Sequence, residues 1–543
     1  MSIANRGQRY SSGSLTIGIV TGIISFLFLF GIERASGLAA TYQWPAGDLA
    51  QHVAGAFAYL DGNWSFPIFH TNRINAPDGV NIIFTDSAPA AGLIAKLINS
   101  ATGIRFNYLG MWFAIGWIGQ AAAGAYLISQ LGARSKITYF CGAIIALAFP
   151  AYLNRHFHLA LGSHFLVLFS IGLYFSTVRT GLTAKSIAVW ALLLGVAIWT
   201  HAYIFVMCAA LFSAALGDAR LTGKTSSSKA AAAFLCVMAV SAALAVVGGY
   251  GTAGNINAVG YGSFRMDLLA YVWPHGSALL PTPVIFDAQS AFEGYNYLGA
   301  GGIIAVVLGL FSIRRDDLIA LKSHAVLVLV VAGMTLFAIT NAISFGGRIL
   351  FHPSLPVEIF PFSTFRASGR FGWPLGYIAV FVGLALALKR VQIRWPVAAV
   401  VLACAVAAIQ WADGGQLFRG MRDGWQSQPK PVVETLLSRV ERVHFSPPIN
   451  CLPSGAIQNA AIEMLAVVAR KGVLSDDAHT ARVHTRDCNM VQPASNLEDV
   501  LVVTIPDTIE ADHFLRSMEC AEEAGVLLCL RPSNEEASPS ALE

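Results

Sequence analysis

The sequence predicts a polytopic α-helical membrane protein, with about eleven transmembrane helices and a small C-terminal α/β domain outside the membrane. Hydrophobic residues occupy 55% of its 543 positions and charged residues 12%, whereas soluble domains carry about 25% charged residues. Apolar runs close to the length of a membrane span recur along the chain, and short basic segments separate alternate runs. This composition excludes a soluble enzyme, and nothing in it indicates binding to nucleic acid.

Eleven apolar segments are interpreted as spans. The first follows a cytoplasmic N-terminus of residues 1–14, and we interpret it as an uncleaved span because no small-residue cleavage site follows it. Two consecutive segments are shorter than the roughly 20 residues that cross a bilayer. We expect them to form a hairpin that turns at His201, either buried in the bundle or partly re-entrant, and the count falls to ten in the second case. The segments are 15–32, 107–131, 136–153, 161–178, 186–200, 203–217, 229–250, 298–313, 323–343, 371–388 and 395–412.

Basic residues orient the predicted spans, because loops rich in Lys and Arg stay in the cytoplasm. Outer loops are then 33–106, 154–160, a turn around 201, 251–297 and 344–370. The C-terminal region from 413 faces the periplasm or the exterior of a bacterial inner (plasma) membrane. The residues assigned to the cytoplasm are Arg6, Arg9, Arg134, Lys136, Arg179, Lys185, Arg220, Lys224, Lys229, Arg314, Arg315, Lys322, Lys389, Arg390 and Arg394.

The region after the last span differs in composition from the membrane domain of residues 15–412. Alternating apolar residues in EDVLVVTIP and AGVLLCLRP predict short strands, and ETLLSRVERV and AAIEMLAVVARKG predict amphipathic helices. Residues 413–532 are therefore expected to form an exoplasmic α/β domain, and 533–543 a disordered tail. Four cysteines there predict two disulfides with open pairing; they are Cys451, Cys488, Cys520 and Cys529.

The first outer loop, 33–106, concentrates charged residues in a chain that has few. Asp48 in WPAGDLAQH begins a predicted amphipathic helix that also contains His52. An Asp at such a position either caps the helix or acts as a catalytic carboxylate, which glycosyl transfer to a hydroxyl requires. Asp86 in TDSAPAAGLIAKLI either caps a surface-lying amphipathic helix, as Ser87 also can, or binds a metal or acceptor hydroxyls. His52 and Arg73 are further substrate-binding candidates.

The other outer loops supply the remaining substrate-binding candidates. Arginine forks match phosphate oxygens, and aromatic residues stack on sugar rings. The alternative is that these residues only anchor span ends at the interface. Arg366 and Arg370 lie four residues apart, and therefore on one face if that segment is helical. The candidates are Arg155, His156, His158, His201, Arg265, His275, Arg366 and Arg370.

The membrane part resembles the GT-C superfamily of integral membrane glycosyltransferases. In particular, WPAGDLAQH followed by FPIFHTNRINAPDGVNIIFTDSAPA is similar to the first outer loop of a little-characterised bacterial family. The resemblance implies a polyprenyl-phosphate-linked sugar donor, Asp48 as the base and Asp86 as a second acidic residue. It implies donor-phosphate or acceptor contacts for the His and Arg candidates. No cofactor is required with certainty; in a metal-dependent enzyme Asp48 and Asp86 are the candidate ligands for Mg²⁺ or Mn²⁺.

Three functions follow from these patterns. The first is transfer of a sugar to a glycan, lipid or protein of the cell envelope, with the lipid-linked donor, that acceptor and membrane lipids as partners. The second is a transporter or flippase of a lipid-linked glycan, which should show duplicated halves and charges deep within its spans. The third is a non-catalytic membrane scaffold, in which Asp48 and Arg366 should tolerate substitution.

Overall fold

The computed structural model describes residues 3–155, 157–252, 260–284, 287–424, 426–453, 455–480, 488, 499–506, 516, 518–523 and 525–531. The chain divides into two compact units. The helical unit contains Met1–Ile32, Trp112–Ala245 and Ile256–Asp423. The loop–tail unit contains Glu33–Met111, Val246–Asn255 and Gly424–Glu543. The first outer loop therefore groups with the C-terminal region, whereas the sequence assigned it to the membrane domain.

The described chain is mainly helical. Its α-helices are α1 (Ile3–Ser36), α2 (Ala40–Gln43), α3 (Asp48–Asp61), α4 (Pro89–Thr102), α5 (Tyr108–Gln130), α6 (Lys136–Leu147), α7 (Pro150–Leu153), α8 (His164–Thr180), α9 (Ala184–Ile198), α10 (Ala202–Leu221), α11 (Ser227–Gly248), α12 (Ala288–Glu293), α13 (Ala300–Ser312), α14 (Arg315–Leu321), α15 (Ala325–Ile339), α16 (Trp373–Gln392), α17 (Pro396–Asp413), α18 (Gly415–Asp423), α19 (Pro431–Leu437) and α20 (Ala456–Lys471). Its strands are β1 (His70–Thr71), β2 (Val80–Asn81), β3 (Ile343–Phe345), β4 (Arg348–Phe351), β5 (Arg442–Phe445), β6 (Leu474–Ser475), β7 (Val500–Thr504), β8 (Glu519–Glu523) and β9 (Val526–Leu530).

Ten of the eleven predicted spans overlap one α-helix each, and the span 136–153 covers two, α6 and α7. Seven helices in the described part of the chain are long and apolar enough to cross a membrane, so the chain is a membrane protein. The other four predicted spans correspond to α6, α8, α9 and α13, which have 12 to 17 residues. Their assignment as spans, and the total of eleven, stay predictions. The hairpin around His201 consists of the short α9 and the 20-residue α10.

Small residues and buried polar groups hold the helical unit together. Gly309 of α13 meets Gly383 of α16 backbone to backbone, so a side chain at either position would separate the two helices. The start of α13 is fixed by α17. Asp413 accepts a hydrogen bond from the backbone N–H of Ala300 at 2.8 Å, and Gln410 Oε1 accepts one from Gly302 at 2.7 Å. These bonds satisfy N–H groups that a helix leaves without intrahelical partners.

The C-terminal part of the loop–tail unit is a five-stranded sheet in the order β6-β5-β7-β9-β8. Strands β6, β5 and β7 are parallel, and β7, β9 and β8 are antiparallel. Strands β7 and β9 and helix α20 lie where the sequence predicts them. The predicted helix ETLLSRVERV is wrong in its second half: the helix ends at Leu437, and the last two residues, Arg442 and Val443, begin β5, whose Val443 and Phe445 are buried within the sheet. The predicted disordered tail lies outside the described residues.

Two disulfides join the four C-terminal cysteines. Cys451 pairs with Cys488, and Cys520 pairs with Cys529, which lies opposite it in the ladder of β8 and β9. The first pair closes a loop with a sequence separation of 37 residues and the second a loop with a separation of 9. The pairing that the sequence left open is therefore local, within the C-terminal region.

Helix α3 is buried on all sides, from Leu49 to Leu60. The prediction that α3 is an amphipathic helix is therefore wrong. The helix packs against α20 on one side. At Gly55 it packs against Thr85 and Ser87 so closely that a side chain at this position would not fit. A helix covered on every face belongs to the interior of a unit. The first outer loop thus contributes α3 to the interior of the loop–tail unit.

Arginines connect the first loop to the C-terminal region within the loop–tail unit. The guanidinium of Arg73 donates to the carbonyl oxygen of Gly472, and the backbone N–H of Ser475 donates to the carbonyl of Arg73 at 3.0 Å. Arg105 binds Asp61 through two bonds of 2.6 Å and also donates to the carbonyl of Arg470 at 2.6 Å. The bond between Arg73 and Gly472 joins residues 399 positions apart in sequence, and the bond between Arg105 and Arg470 joins residues 365 positions apart.

Candidate functional site

Asp48 begins α3 but does not cap it. The N-cap is Gly47, whose positive φ of 56° favours glycine, and no side-chain cap bond is formed there. The carboxylate of Asp48 is exposed and forms no hydrogen bond or ion pair with any residue that the structure describes. The capping alternative is therefore wrong, and the carboxylate is accessible to a substrate.

His52 lies one helical turn after Asp48, so both side chains share a face of α3. The His52 side chain is fully buried. One of its ring nitrogens lies within 4.8 Å of a carboxylate oxygen of Asp86. Asp86 is itself buried, at 8% exposure. The loop–tail unit therefore brings His52 close to Asp86 and places Asp48 on the same helix face as His52.

The backbone that carries Asp86 adopts an unusual conformation. Asp86 and Ala88 have φ angles of 56° and 49°, in the left-handed region that non-glycine residues rarely occupy. The N-cap of α4 is Ala88, so neither Asp86 nor Ser87 caps that helix as predicted. Instead, Ser87 Oγ donates to the carbonyl of His52 at 2.8 Å, and the hydroxyl of Tyr108 donates to the carbonyl of Ser87 at 2.6 Å. Strained residues held by surrounding contacts are common at functional sites.

His479, in the C-terminal region of the same unit, lies close enough to Asp48 to interact with its charge. Burial lowers the pKa of His479, and the carboxylate of Asp48 opposes this effect by raising it. Nδ1 of His479 lies 2.8 Å from the side-chain oxygen of Asn450. The backbone nearby is fixed, because the N–H of Asn75 donates to the carbonyl of Asp477 at 3.1 Å. The C-terminal region thus contributes a histidine beside the candidate base.

In the helical unit, Glu293 binds two of the predicted arginines. Its Oε2 lies 3.0 Å from Arg155 and 2.8 Å from Arg370. Both guanidinium groups are almost fully buried, with side-chain exposures of 2% and 10%. Burial acts to raise the pKa of Glu293, but Arg370, Arg155 and His158 outweigh it and lower the pKa to about 2. The three side chains together carry one excess positive charge, which suits an anion.

Aromatic and imidazole rings surround this ion cluster within the helical unit. The rings of His158 and His201 meet edge to face at a centroid distance of 5.6 Å. Arg155 lies over the ring of Phe292 at 4.4 Å, and Arg370 lies over Tyr203 at 4.9 Å. Cation–π contacts of this kind stabilise desolvated guanidinium groups. The predicted residues Arg155, His158, His201 and Arg370 therefore belong to one connected group.

The remaining predicted residues lie elsewhere. Arg366 and Arg370 do not share a helical face, because the 3₁₀ helix of this segment begins at Ser368; Arg366 lies over Phe264 instead. Arg265 pairs with Asp287 at 3.0 Å. His275 stacks on Trp273 beside a cavity of about 40 Å³, and burial lowers its pKa. The side chain of Arg73 contacts Gly472. His156 lies outside the described residues.

His52 and Asp86 offer two possible ligands to a metal ion, an imidazole nitrogen and a carboxylate oxygen that lie within 4.8 Å of each other. Carboxylates suit Mg²⁺ and Mn²⁺, whereas imidazole suits softer divalent ions. The participation of Asp48 as a second ligand stays a prediction. Glu293 and His479 did not enter the predicted site, because their partners are remote in sequence. The only signal for Glu293 was its place in a charged, aromatic outer loop.

The fold is similar to solved structures of an archaeal glycosyltransferase. Archaeal oligosaccharyltransferase AglB from Archaeoglobus fulgidus, in complex with an inhibitory peptide and a dolichol-phosphate, aligns with a TM-score of 0.52 and 12% identity over 97% of this chain and 75% of that one. The Archaeoglobus fulgidus oligosaccharyltransferase tethered with an acceptor peptide aligns with a TM-score of 0.49 and 11% identity, over 96% and 74% of the two chains. No curated protein matches the sequence.

The chain is thus a membrane protein with a fold similar to that of the archaeal enzyme. The sequence itself matches one family model over residues 19–415. The chain belongs to the DUF6311 family, described as a domain of unknown function.

Proposed function

We propose that this protein is a membrane glycosyltransferase that moves a sugar from a polyprenyl-phosphate-linked donor to a glycan, lipid or protein of the cell envelope, on the exoplasmic face. The observation that carries the proposal is the exposed carboxylate of Asp48, which shares a helix face with His52 next to the buried Asp86. This arrangement occurs in a fold similar to that of an oligosaccharyltransferase.

The proposed reaction uses Asp48 as the general base. Asp48 accepts the proton of an acceptor hydroxyl as its oxygen attacks the anomeric carbon of the sugar. The bond between that carbon and the phosphate oxygen breaks, and the polyprenyl phosphate leaves with the bonding electron pair. Burial lowers the pKa of His479 against the opposing effect of the Asp48 carboxylate, which favours a neutral imidazole at this position.

The ion cluster of the helical unit is proposed to bind a phosphate group. Arg155 and Arg370 have planar forks that match phosphate oxygens, and together with their shared partner Glu293 they carry a net charge of +1. Preorganised cations stabilise the charge that develops on a leaving phosphate. The similar archaeal enzyme is described with a dolichol-phosphate, which supports a lipid-linked donor here.

A divalent cation, if the enzyme uses one, is proposed to bind His52 and Asp86, where it would supply Lewis-acid stabilisation of phosphate oxygens. The strained backbone at Asp86 and the bond from Ser87 to the carbonyl of His52 hold both ligands in place. These residues then orient the ion, and Asp48 remains the group that moves the proton.

The test is mass spectrometry of envelope glycans and glycolipids from strains that lack the gene or carry defined variants. We expect deletion to remove one sugar unit and wild type to restore it, whereas Asp48→Asn at equal membrane abundance fails to do so. Asp78→Asn is the matched control, because Asp78 is an exposed carboxylate of the same loop. Full restoration by Asp48→Asn would refute the catalytic role. Lipid-linked precursors stranded in the cytoplasmic leaflet after deletion would favour the flippase.

A further inference from the structure

The helical unit contains a second cavity, larger than the one beside His275. It is lined by segments of the sequence that do not contribute to the ion cluster. Its volume is about 510 Å³, within the range of about 300–1,000 Å³ that is usual for ligand pockets. Four helix ends enclose it. Helices α5 and α16 end there, and α6 and α17 begin there, so the cavity lies at the two short connections between these helices. Its lining residues are Ile128, Leu131, Gly132, Ala133, Arg134, Ser135, Thr138, Ala385, Leu388, Lys389, Gln392, Ile393, Pro396, Ala399 and Val400.

The lining divides into an apolar wall and a basic rim. Side chains such as Leu388 and Val400 form the wall, whereas Arg134 and Lys389 are the charged residues of the lining. Arg134 is exposed and has no hydrogen bond or ion pair with the residues that the structure describes. Lys389 lies 3.2 Å from Asp317 and remains 60% exposed. An apolar wall below a cationic rim matches a molecule with an acyl chain and an anionic head.

The charge balance at the rim favours an anion. Asp317 pairs with both Lys389 and Arg390, so these three groups carry a net charge of +1, and Arg134 adds another. The first turn of α6, with Ser135 and Thr138, also faces the cavity. The N–H groups of a helix start attract anions. No carboxylate is part of the lining.

From this geometry we propose that the cavity is a binding site for one anionic phospholipid. The acyl chain lies against the wall formed by α5, α16 and α17, and the phosphate contacts Arg134 and Lys389. The basic connections that border the cavity are predicted to be cytoplasmic, so the lipid comes from the cytoplasmic leaflet. Basic pockets between helices on that side are suited to anionic headgroups. The site is independent of the proposed sugar transfer and of its lipid-linked donor.

The test is native mass spectrometry of the full chain in detergent, titrated separately with phosphatidylglycerol, phosphatidylethanolamine and inorganic phosphate. We expect one phosphatidylglycerol to bind in preference to phosphatidylethanolamine. In the double variant R134A/K389A, phosphatidylglycerol should bind about 25-fold more weakly, since each basic residue near an anionic headgroup changes affinity about fivefold. Arg394→Ala is the matched control, because Arg394 is an exposed arginine of the α16–α17 connection that does not line the cavity.

A second variant tests the contribution of the apolar wall independently of the basic rim. Ala385→Phe fills the apolar part and keeps both charges, so it should also weaken the binding of phosphatidylglycerol. Equal binding of the two phospholipids, or unchanged binding in R134A/K389A, would overturn the proposal. Inorganic phosphate that binds as tightly as phosphatidylglycerol would also overturn it, because the site would then recognise a free anion.

Discussion

Glu293 offers the sharpest test of how the helical unit stabilises its buried arginines. Replacement by Gln keeps the shape of the side chain and removes the charge that Arg155 and Arg370 share. Both guanidinium groups would then lose the carboxylate that they share while they remain buried, and breaking a buried ion pair in this way is strongly destabilising. We therefore expect E293Q to be less stable than wild type at neutral pH.

The size of the effect follows from the pKa of Glu293, which the two arginines lower against the effect of burial from 4.5 to about 2. Each pKa unit corresponds to about 1.4 kcal/mol, so the ionised form contributes about 3 kcal/mol to the free energy of unfolding. A lowered carboxyl pKa adds stability that is fully present above the unfolded value of 4.5 and is lost as the pH falls toward about 2. The difference between E293Q and wild type should therefore shrink as the pH falls below 4.5.

The measurement is unfolding by SDS in mixed micelles, followed by circular dichroism at pH 7 and at pH 3. Glu358→Gln is the control, because Glu358 is an exposed carboxylate in the same unit. A midpoint of E293Q equal to those of E358Q and wild type at pH 7 would refute the reasoning. So would a difference that is the same at both pH values, because the charge of Glu293 would then not be its cause.

Three further predictions concern the loop–tail unit. Asp86→Gly should be more stable than Asp86→Ala by about 1 kcal/mol, because only glycine tolerates the left-handed backbone without cost; thermal unfolding measures this, and equal midpoints would contradict it. Arg73→Met removes the bond to Gly472 and should expose the first loop to limited proteolysis, with exposed Asp78→Asn as a control that leaves the digestion pattern unchanged. Removing the Cys451–Cys488 disulfide, with a separation of 37 residues, should lower the free energy of unfolding by about 1 kcal/mol more than removing Cys520–Cys529, with a separation of 9. Denaturant midpoints of the two Cys→Ala double variants measure this difference. The reverse order would contradict loop entropy as its cause.

Features that depend on local sequence could be predicted. The helical segments follow from hydrophobic runs, because a helix in lipid satisfies its own backbone. Strands β7 and β9 follow from short apolar segments between polar and Pro residues. The first half of ETLLSRVERV fits a helix, but burial of Val443 and Phe445 in the sheet overrides the helical pattern of the second half. Local propensity is a weak prior where tertiary packing decides.

Features that depend on remote contacts could not be predicted. The helix that begins at Asp48 was expected to be amphipathic, yet every residue from Leu49 to Leu60 is buried, and the helix packs against α20. Glu293 was visible only as one charged residue among many, and its role requires two arginines from other segments. Asp48 and Asp86 were predicted from their position and from the resemblance. Their backbone conformations, which exclude a capping role, are visible only in the structure.

The union of the first loop with the C-terminal region has a consequence for biosynthesis. Arg73 leaves the ribosome long before Gly472, its partner 399 residues later. The membrane helices of the intervening sequence must be inserted before α3 can pack against α20. During this interval the apolar side chains of α3 lack their final cover, which is when a nascent chain is most prone to aggregation. A chain truncated before residue 424 would leave this helix exposed permanently, so quality control of the protein is expected to depend on its last segment.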